Sequence, residues 1–313
     1  MKANDVYRKT IKFVWLKLAL GGCTILFSIV LGLLLLGISA LFPSDAMIGF
    51  SLMIWFGATA GVVGISQYYI GYLLKAGHIV VVTHLVKTGS LPEDQFGYGK
   101  QVVKEKFATA AIYFAVDRLV SGAVKQINGT LNIVGSFLEK IPGMDSLVSF
   151  ARIFVDIVLG NLDECCMAYT FYHMEQSSFK SAADGVVIYF QNWKTILKDA
   201  LKTSIIVFII SGIAGFLLLF GITGLLNVFG MPGILGLSAA FLLAVMIIMV
   251  IKSSVMDSYT MVCMVCSYLQ VAPATEITFD LYDKLCGLSS KFKDLLQKAG
   301  ETFEKSVPTD TVI

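Results

Sequence analysis

The chain has 313 residues, of which 56% are hydrophobic and 15% charged, and its mean hydropathy is +0.78. This composition is too apolar for a soluble domain of that length and predicts an all-α, polytopic integral membrane protein. The formal net charge of +2 argues against a nucleic-acid partner, because such partners favour strongly basic surfaces. The sequence lacks a Walker-type phosphate loop, an HExxH motif and a Gly-x-Ser-x-Gly motif, so we expect neither an enzyme nor a cofactor.

Six apolar runs predict six transmembrane helices. Each run is close to or longer than the about 20 residues that a helix needs to cross a bilayer. The third run is interrupted by Asp117 and Arg118, and the second and sixth are longer than one crossing requires. The runs occupy residues 18–42, 46–86, 107–124, 147–172, 204–228 and 234–269.

The positions of lysine and arginine predict the orientation. The segments 1–17, 75–106 and 180–202, together with the tail after residue 272, hold 19 of the 24 basic residues. With six crossings these segments lie on one side, which the positive-inside rule assigns to the cytoplasm. We therefore expect both termini to be cytoplasmic, in a protein of the plasma membrane. The amphipathic, lysine-containing segment 177–202 predicts an interfacial helix that lies on the membrane surface.

The sequence contains signs of an internal duplication. LLLLGISALF at residues 33–42 aligns with LLLFGITGLL at residues 217–226, with six of ten positions identical. A parallel two-helix repeat explains this match, and chance matching of apolar sequence is the alternative. We expect a single transmembrane domain over residues 1–313. Its predicted parts are a hairpin (1–90), a central charged helix pair (100–176), a surface helix with a hairpin (177–272) and a cytoplasmic amphipathic tail (273–313).

The cysteines do not predict a disulfide framework or a metal site. Five of the six lie within or beside apolar runs, whereas disulfide frameworks are typical of small secreted domains. Cys263 and Cys266 form a CxxC sequence without a second pair or a nearby histidine, so apolar packing is favoured over metal binding. The six residues are Cys23, Cys165, Cys166, Cys263, Cys266 and Cys286.

The fourth apolar run carries charged residues in its middle. At 100° per residue, Arg152, Asp156 and Asp163 share one face of the helix, and Glu164 lies beside that face. Charged groups inside a membrane rarely face lipid, so we expect this face to meet a protein interior or a water-filled cavity. Arg152 and Asp156 are four residues apart and are predicted to form an ion pair within the helix.

These charges allow two interpretations. Asp163 and Glu164, with Asp117 of the third run, can form a substrate site that attracts a cation. Tyr169 and Tyr172 follow directly and offer aromatic faces, which attract quaternary ammonium groups. The alternative is a structural ion-pair network that locks the third and fourth helices together. Its predicted members are Arg118, Arg152 and Asp156.

Four short motifs carry a resemblance to a known family. They are AYTFY (168–172), SSFKSAADG (177–185), QNWKTILKDALK (191–202) and VMDSYTMVC (255–263). The region 163–269 that contains them resembles the choline transporter-like family of integral membrane solute carriers. The resemblance implies transport of choline or another small organic cation. The chain departs from the family in being shorter, with fewer helices and no large extracellular loop after the first helix.

Other features suggest partners and modifications. Asn128 lies in a glycosylation sequon on the predicted outer side. The last three residues, Thr311, Val312 and Ile313, fit the carboxyl-terminal pattern that PDZ domains bind. Lys252 is predicted to extend to the cytoplasmic surface and Asp257 to lie at the interface. The leading hypothesis is a carrier of a small organic cation, and the alternative is a non-transporting scaffold or lipid-binding assembly protein whose partners include membrane lipids.

Overall fold

The structure, a computed structural model, describes residues 1–42, 44–66, 70–131, 162–228, 230, 233–277 and 279–306. The protein is 90% helical and has no strand among these residues, which confirms the predicted all-α class. The helices before residue 132 are α1 (Ala3–Lys9), α2 (Ile11–Leu41), α3 (Asp45–Ser66), α4 (Tyr72–Thr88), α5 (Gln95–Phe107) and α6 (Ala110–Leu131). Those after residue 161 are α7 (Leu162–Tyr172), α8 (Ser178–Val228), α9 (Gly233–Ile251), α10 (Asp257–Val271), α11 (Phe279–Leu288) and α12 (Ser290–Ser306). A π-helical segment, Lys252–Met256, joins α9 to α10.

The structure supports the assignment as an integral membrane protein. Among the described residues, four helical stretches are long and apolar enough to cross a bilayer, and they coincide with the first, second, fifth and sixth predicted helices. Helices α5 and α6, bent by 81° at their junction, form a fifth if they are one broken crossing. The predicted fourth helix lies largely outside the described residues. The four stretches are Ile11–Leu41, Ala46–Ser66, Ile209–Val228 and Gly236–Ala274.

Helix α8 differs from the sequence expectation. It runs without interruption for 51 residues, so the predicted surface helix and the fifth predicted span are one element. Its first part is buried: Ala182, Val186 and Val187 are 0% exposed. This part therefore packs against protein on sides that a helix resting on a membrane surface leaves open.

The chain forms two compact units. The first unit comprises Met1–Thr10, Ala76–Ile206 and Tyr259–Ile313, and the second comprises Ile11–Lys75 and Val207–Ser258. Each unit is therefore assembled from segments that are distant in sequence.

The second unit is held together by small residues and internal polar contacts. Helix α2 packs against α3 and α9. A β-carbon at Gly32 of α2 would lie 2.8 Å from the Trp55 ring of α3, so glycine permits this approach. The Trp55 indole donates a hydrogen bond to the Ser28 carbonyl at 2.8 Å. Small residues at helix interfaces with satisfied polar groups are typical of membrane helix packing.

The core of the first unit includes buried ionisable and polar side chains. His78 Nε2 lies 2.9 Å from the Thr10 hydroxyl, and both residues are fully buried. Helix α12 packs against α6 and α11, and its Phe292 and Leu295 are 0% exposed. The apolar face of the predicted amphipathic tail is therefore covered by protein over these residues.

Candidate functional site

Helix α7 carries the two acidic residues that the sequence analysis selected. Asp163 and Glu164 lie in its first turn and are 9% and 4% exposed. The next residues, Cys165 and Cys166, are 0% exposed. A helix that is buried on all sides lies in the interior of its unit. Both carboxylates thus lie at a buried position, as they must if they are to act in a low-dielectric environment.

Helices α6 and α8 both contact α7. Helix α6 packs against it and carries Asp117, which is half-buried, and Arg118, which is exposed. Helix α8 approaches at Gly185, where an added β-carbon would lie 3.1 Å from the Cα atom of Cys166. The structure therefore places the predicted acidic residues of the third and fourth runs on adjacent helices. Arg152 and Asp156 lie outside the described residues, so their ion pair stays a prediction.

The two predicted tyrosines have different surroundings. Tyr169 is 6% exposed, and its ring lies 4.5 Å from the His173 ring and 6.4 Å from the Tyr268 ring, centroid to centroid. Tyr172 is half-buried, and the Lys87 ammonium lies 4.4 Å from the centre of its ring. Lys87 also donates a hydrogen bond to the Tyr172 carbonyl at 2.6 Å. The Tyr172 face therefore already interacts with a cation, supplied by the protein itself.

The loop after α7 is held by a lysine whose only predicted role is its contribution to the positive charge of segment 75–106. Lys106 donates hydrogen bonds to the carbonyls of His173 at 2.6 Å and Gln176 at 2.7 Å. The Ser178 hydroxyl donates to the Lys106 carbonyl at 2.6 Å. In the same loop, a backbone hydrogen bond and a side-chain hydrogen bond with His173 lower the pKa of Glu175.

A buried polar cluster in the first unit has no counterpart among the sequence predictions. Asp184 of α8 is 2% exposed and accepts hydrogen bonds from Lys180 and from the Tyr282 hydroxyl. Burial and the hydrogen bond to Asp184 raise the pKa of Tyr282. The four-residue spacing of Lys180 and Asp184 predicts their ion pair. No local pattern predicts the third member, because Tyr282 lies 98 residues further along the chain.

The second unit contains a cavity of about 680 Å³ between helices α2, α3 and α9. Its wall is mostly apolar, with Phe56, Val63 and Met246 among the lining residues. Lys252 and Asp257 also line it, and they form an ion pair at 2.9 Å. The sequence predicts these two charges at the membrane surface and gives no sign of a cavity beside them.

The described residues hold no group of three or more histidine, cysteine or acidic side chains that could bind a metal ion. All six cysteines are free thiols, and Cys263 and Cys266 lie in α10.

Comparisons with protein-family models, curated proteins and solved structures find no match for this chain. The resemblance to the choline transporter-like family therefore depends on the four motifs alone and stays a prediction.

Proposed function

We propose that this protein carries a small organic cation, of the choline type, across the membrane. The observation that supports the proposal is the buried position of Asp163 and Glu164 at the start of α7. A carrier has to compensate a cation for the water that it loses on entering the protein. Carboxylates in a low-dielectric environment provide that compensation far more effectively than they do in water.

The residues around the acidic pair fit this chemistry. A quaternary ammonium has no hydrogen to donate, so proteins bind it with aromatic faces and nearby negative charge. Tyr169 and Tyr172 lie on the same helix as the acidic pair, and Asp117 lies on the adjacent α6. In this proposal the carboxylates attract the substrate, and the tyrosines contact it after Lys87 leaves the Tyr172 ring.

The proposal includes a topology with six crossings and cytoplasmic termini in the plasma membrane. Its support is the concentration of 19 of the 24 basic residues in four segments that six crossings place on one side. Four of these crossings are the four helical stretches, and the bent pair of α5 and α6 is a fifth. The remaining crossing is the fourth apolar run, residues 147–172. The parallel two-helix repeat belongs to the same proposal, since it relates the first and last hairpins.

Uptake of labelled choline into proteoliposomes tests the proposal. We expect saturable uptake by the wild type and a loss of at least tenfold in Asp163→Asn and Glu164→Gln, because each removes a buried charge without changing the shape of the side chain. Asp283→Asn is the matched control, since Asp283 is an exposed carboxylate on α11. Saturable uptake that both α7 variants leave unchanged would remove the acidic pair from the mechanism.

A non-transporting assembly protein is the second candidate. The observation that favours it is the size of the first unit, which contains α5–α7 and α11–α12 and a packed core of its own. Such a unit suits a binding scaffold. Reconstituted protein that moves no labelled cation, yet binds partner proteins through the segments 75–106 and 180–202, would favour this candidate.

A further inference from the structure

The backbone of the second unit is shaped to bring two charged residues together. Lys252 and Asp257 are five positions apart, and on a regular α-helix their side chains would diverge by about 140°. In the π-helical segment the Asp257 N–H donates a hydrogen bond to the Lys252 carbonyl. This wider turn brings the two side chains to the same side of the helix. Lys252 Nζ then lies 2.9 and 3.0 Å from the two Asp257 carboxylate oxygens. Single π-turns are rare in proteins, and those that do occur are frequently found at functional sites.

The rest of the cavity offers apolar contact. The Thr24 hydroxyl donates to the Gly21 carbonyl at 2.7 Å, and the Thr59 hydroxyl lies 3.0 Å from the Ser28 hydroxyl. These polar groups are therefore satisfied within the protein. The volume of about 680 Å³ falls within the range of about 300–1,000 Å³ that small-molecule sites occupy. A ligand of this site thus needs an apolar part for the wall and a polar part for the ion pair.

We infer that this cavity binds one alkyl chain of a zwitterionic lipid, with the headgroup against Lys252 and Asp257. The ion pair has no net charge, so a ligand with a single charge would have to compete with one partner for the other. A zwitterionic headgroup places its anionic group beside the ammonium and its cationic group beside the carboxylate, and both partners keep a counter-charge.

The exposure and location of the site support this occupant. The side chains of Lys252 and Asp257 are 41% and 33% exposed, so a headgroup can reach both. The cavity is formed by helices that are long and apolar enough to lie in a bilayer, where zwitterionic lipids are the solvent. This site belongs to the second unit and does not depend on the proposed transport through α6 and α7.

Photocrosslinking tests the inference with the full chain in nanodiscs. The probe is a lysophosphatidylcholine with a diazirine on its alkyl chain, and the crosslinked peptides are identified by mass spectrometry. We expect crosslinks in the cavity-facing parts of α2, α3 and α9, and competition by unlabelled lysophosphatidylcholine. Ala60→Trp fills the cavity and should remove these crosslinks, whereas Ala46→Trp on the same helix lies outside the lining residues and should retain them.

The double variant Lys252→Gln with Asp257→Asn tests the headgroup. It should weaken competition by lysophosphatidylcholine about tenfold, because it removes two charge-assisted contacts. It should leave competition by an uncharged monoacylglycerol of the same chain length unchanged. The thermal unfolding midpoint of each variant checks that it is folded. Crosslinks that persist in Ala60→Trp would overturn the site, and equal loss of competition by both lipids would overturn the role of the ion pair.

Discussion

Replacing Tyr282 by phenylalanine isolates one hydrogen bond at the buried Asp184. The Asp184 side chain is 3% exposed and accepts from Lys180 and Tyr282. A hydrogen bond to a charged group contributes about 1.5–3 kcal/mol. Because Lys180 remains as a partner, we expect a loss of about 2 kcal/mol, toward the lower part of that range. The ring keeps its packing on Phe292, whose centroid lies 6.0 Å away.

Hydrogen exchange measures this change where it acts. The bond ties α11 to α8, so its loss should lower the free energy of local opening of α11. A loss of about 2 kcal/mol corresponds to a roughly 30-fold faster exchange of α11 amides, since 1.4 kcal/mol is a factor of ten. Tyr259→Phe is the control, because its hydroxyl donates to the exposed Asn4 side chain. Unchanged exchange in α11 of Tyr282→Phe would refute the role assigned to this bond.

Two further predictions concern the first unit. Gly99→Ala should destabilise it by about 2 kcal/mol, because the added β-carbon would lie 2.8 Å from the Gly77 carbonyl oxygen. The thermal unfolding midpoint of Gly99→Ala should be lower than that of the control Gly129→Ala, whose β-carbon meets nothing within 4 Å. Equal midpoints would contradict the close approach of Gly99 to Gly77. The pKa of Glu175 is lower in the folded protein than its ordinary value of 4.5. Ionised Glu175 therefore stabilises the fold at pH values above 4.5, and this stabilisation is lost as the pH falls through the lower pKa of the folded state. Amide exchange in residues 173–177, corrected for its intrinsic rate, should rise in that acid range, and a similar rise in Glu175→Gln would contradict this assignment.

Much of the candidate site in α7 could be selected from sequence. Charged residues within an apolar run are conspicuous because lipid does not solvate them, and this singled out Asp163 and Glu164. The burial of both residues is consistent with that reasoning. The contact of Lys87 with the Tyr172 ring has no local signature in the sequence, because the two residues lie 85 positions apart.

The cavity in the second unit shows a different limit. The sequence predicts Lys252 at the cytoplasmic surface and Asp257 at the interface, and on a regular α-helix a spacing of five residues separates their side chains. The π-turn instead brings the Lys252 and Asp257 side chains into contact. Its presence cannot be inferred from the letters KSSVM, because the same residues also suit an ordinary helix.

The sequence by itself determined the helical class, the membrane environment and the position of four spans, because bilayer thickness and backbone hydrogen bonding constrain each segment locally. Only the tertiary structure decided which distant segments share a unit and which partners the buried Asp184 has. It also decided where a cavity remains between α2, α3 and α9. These features depend on side chains that meet across long separations in the chain, and local periodicity carries no information about such meetings.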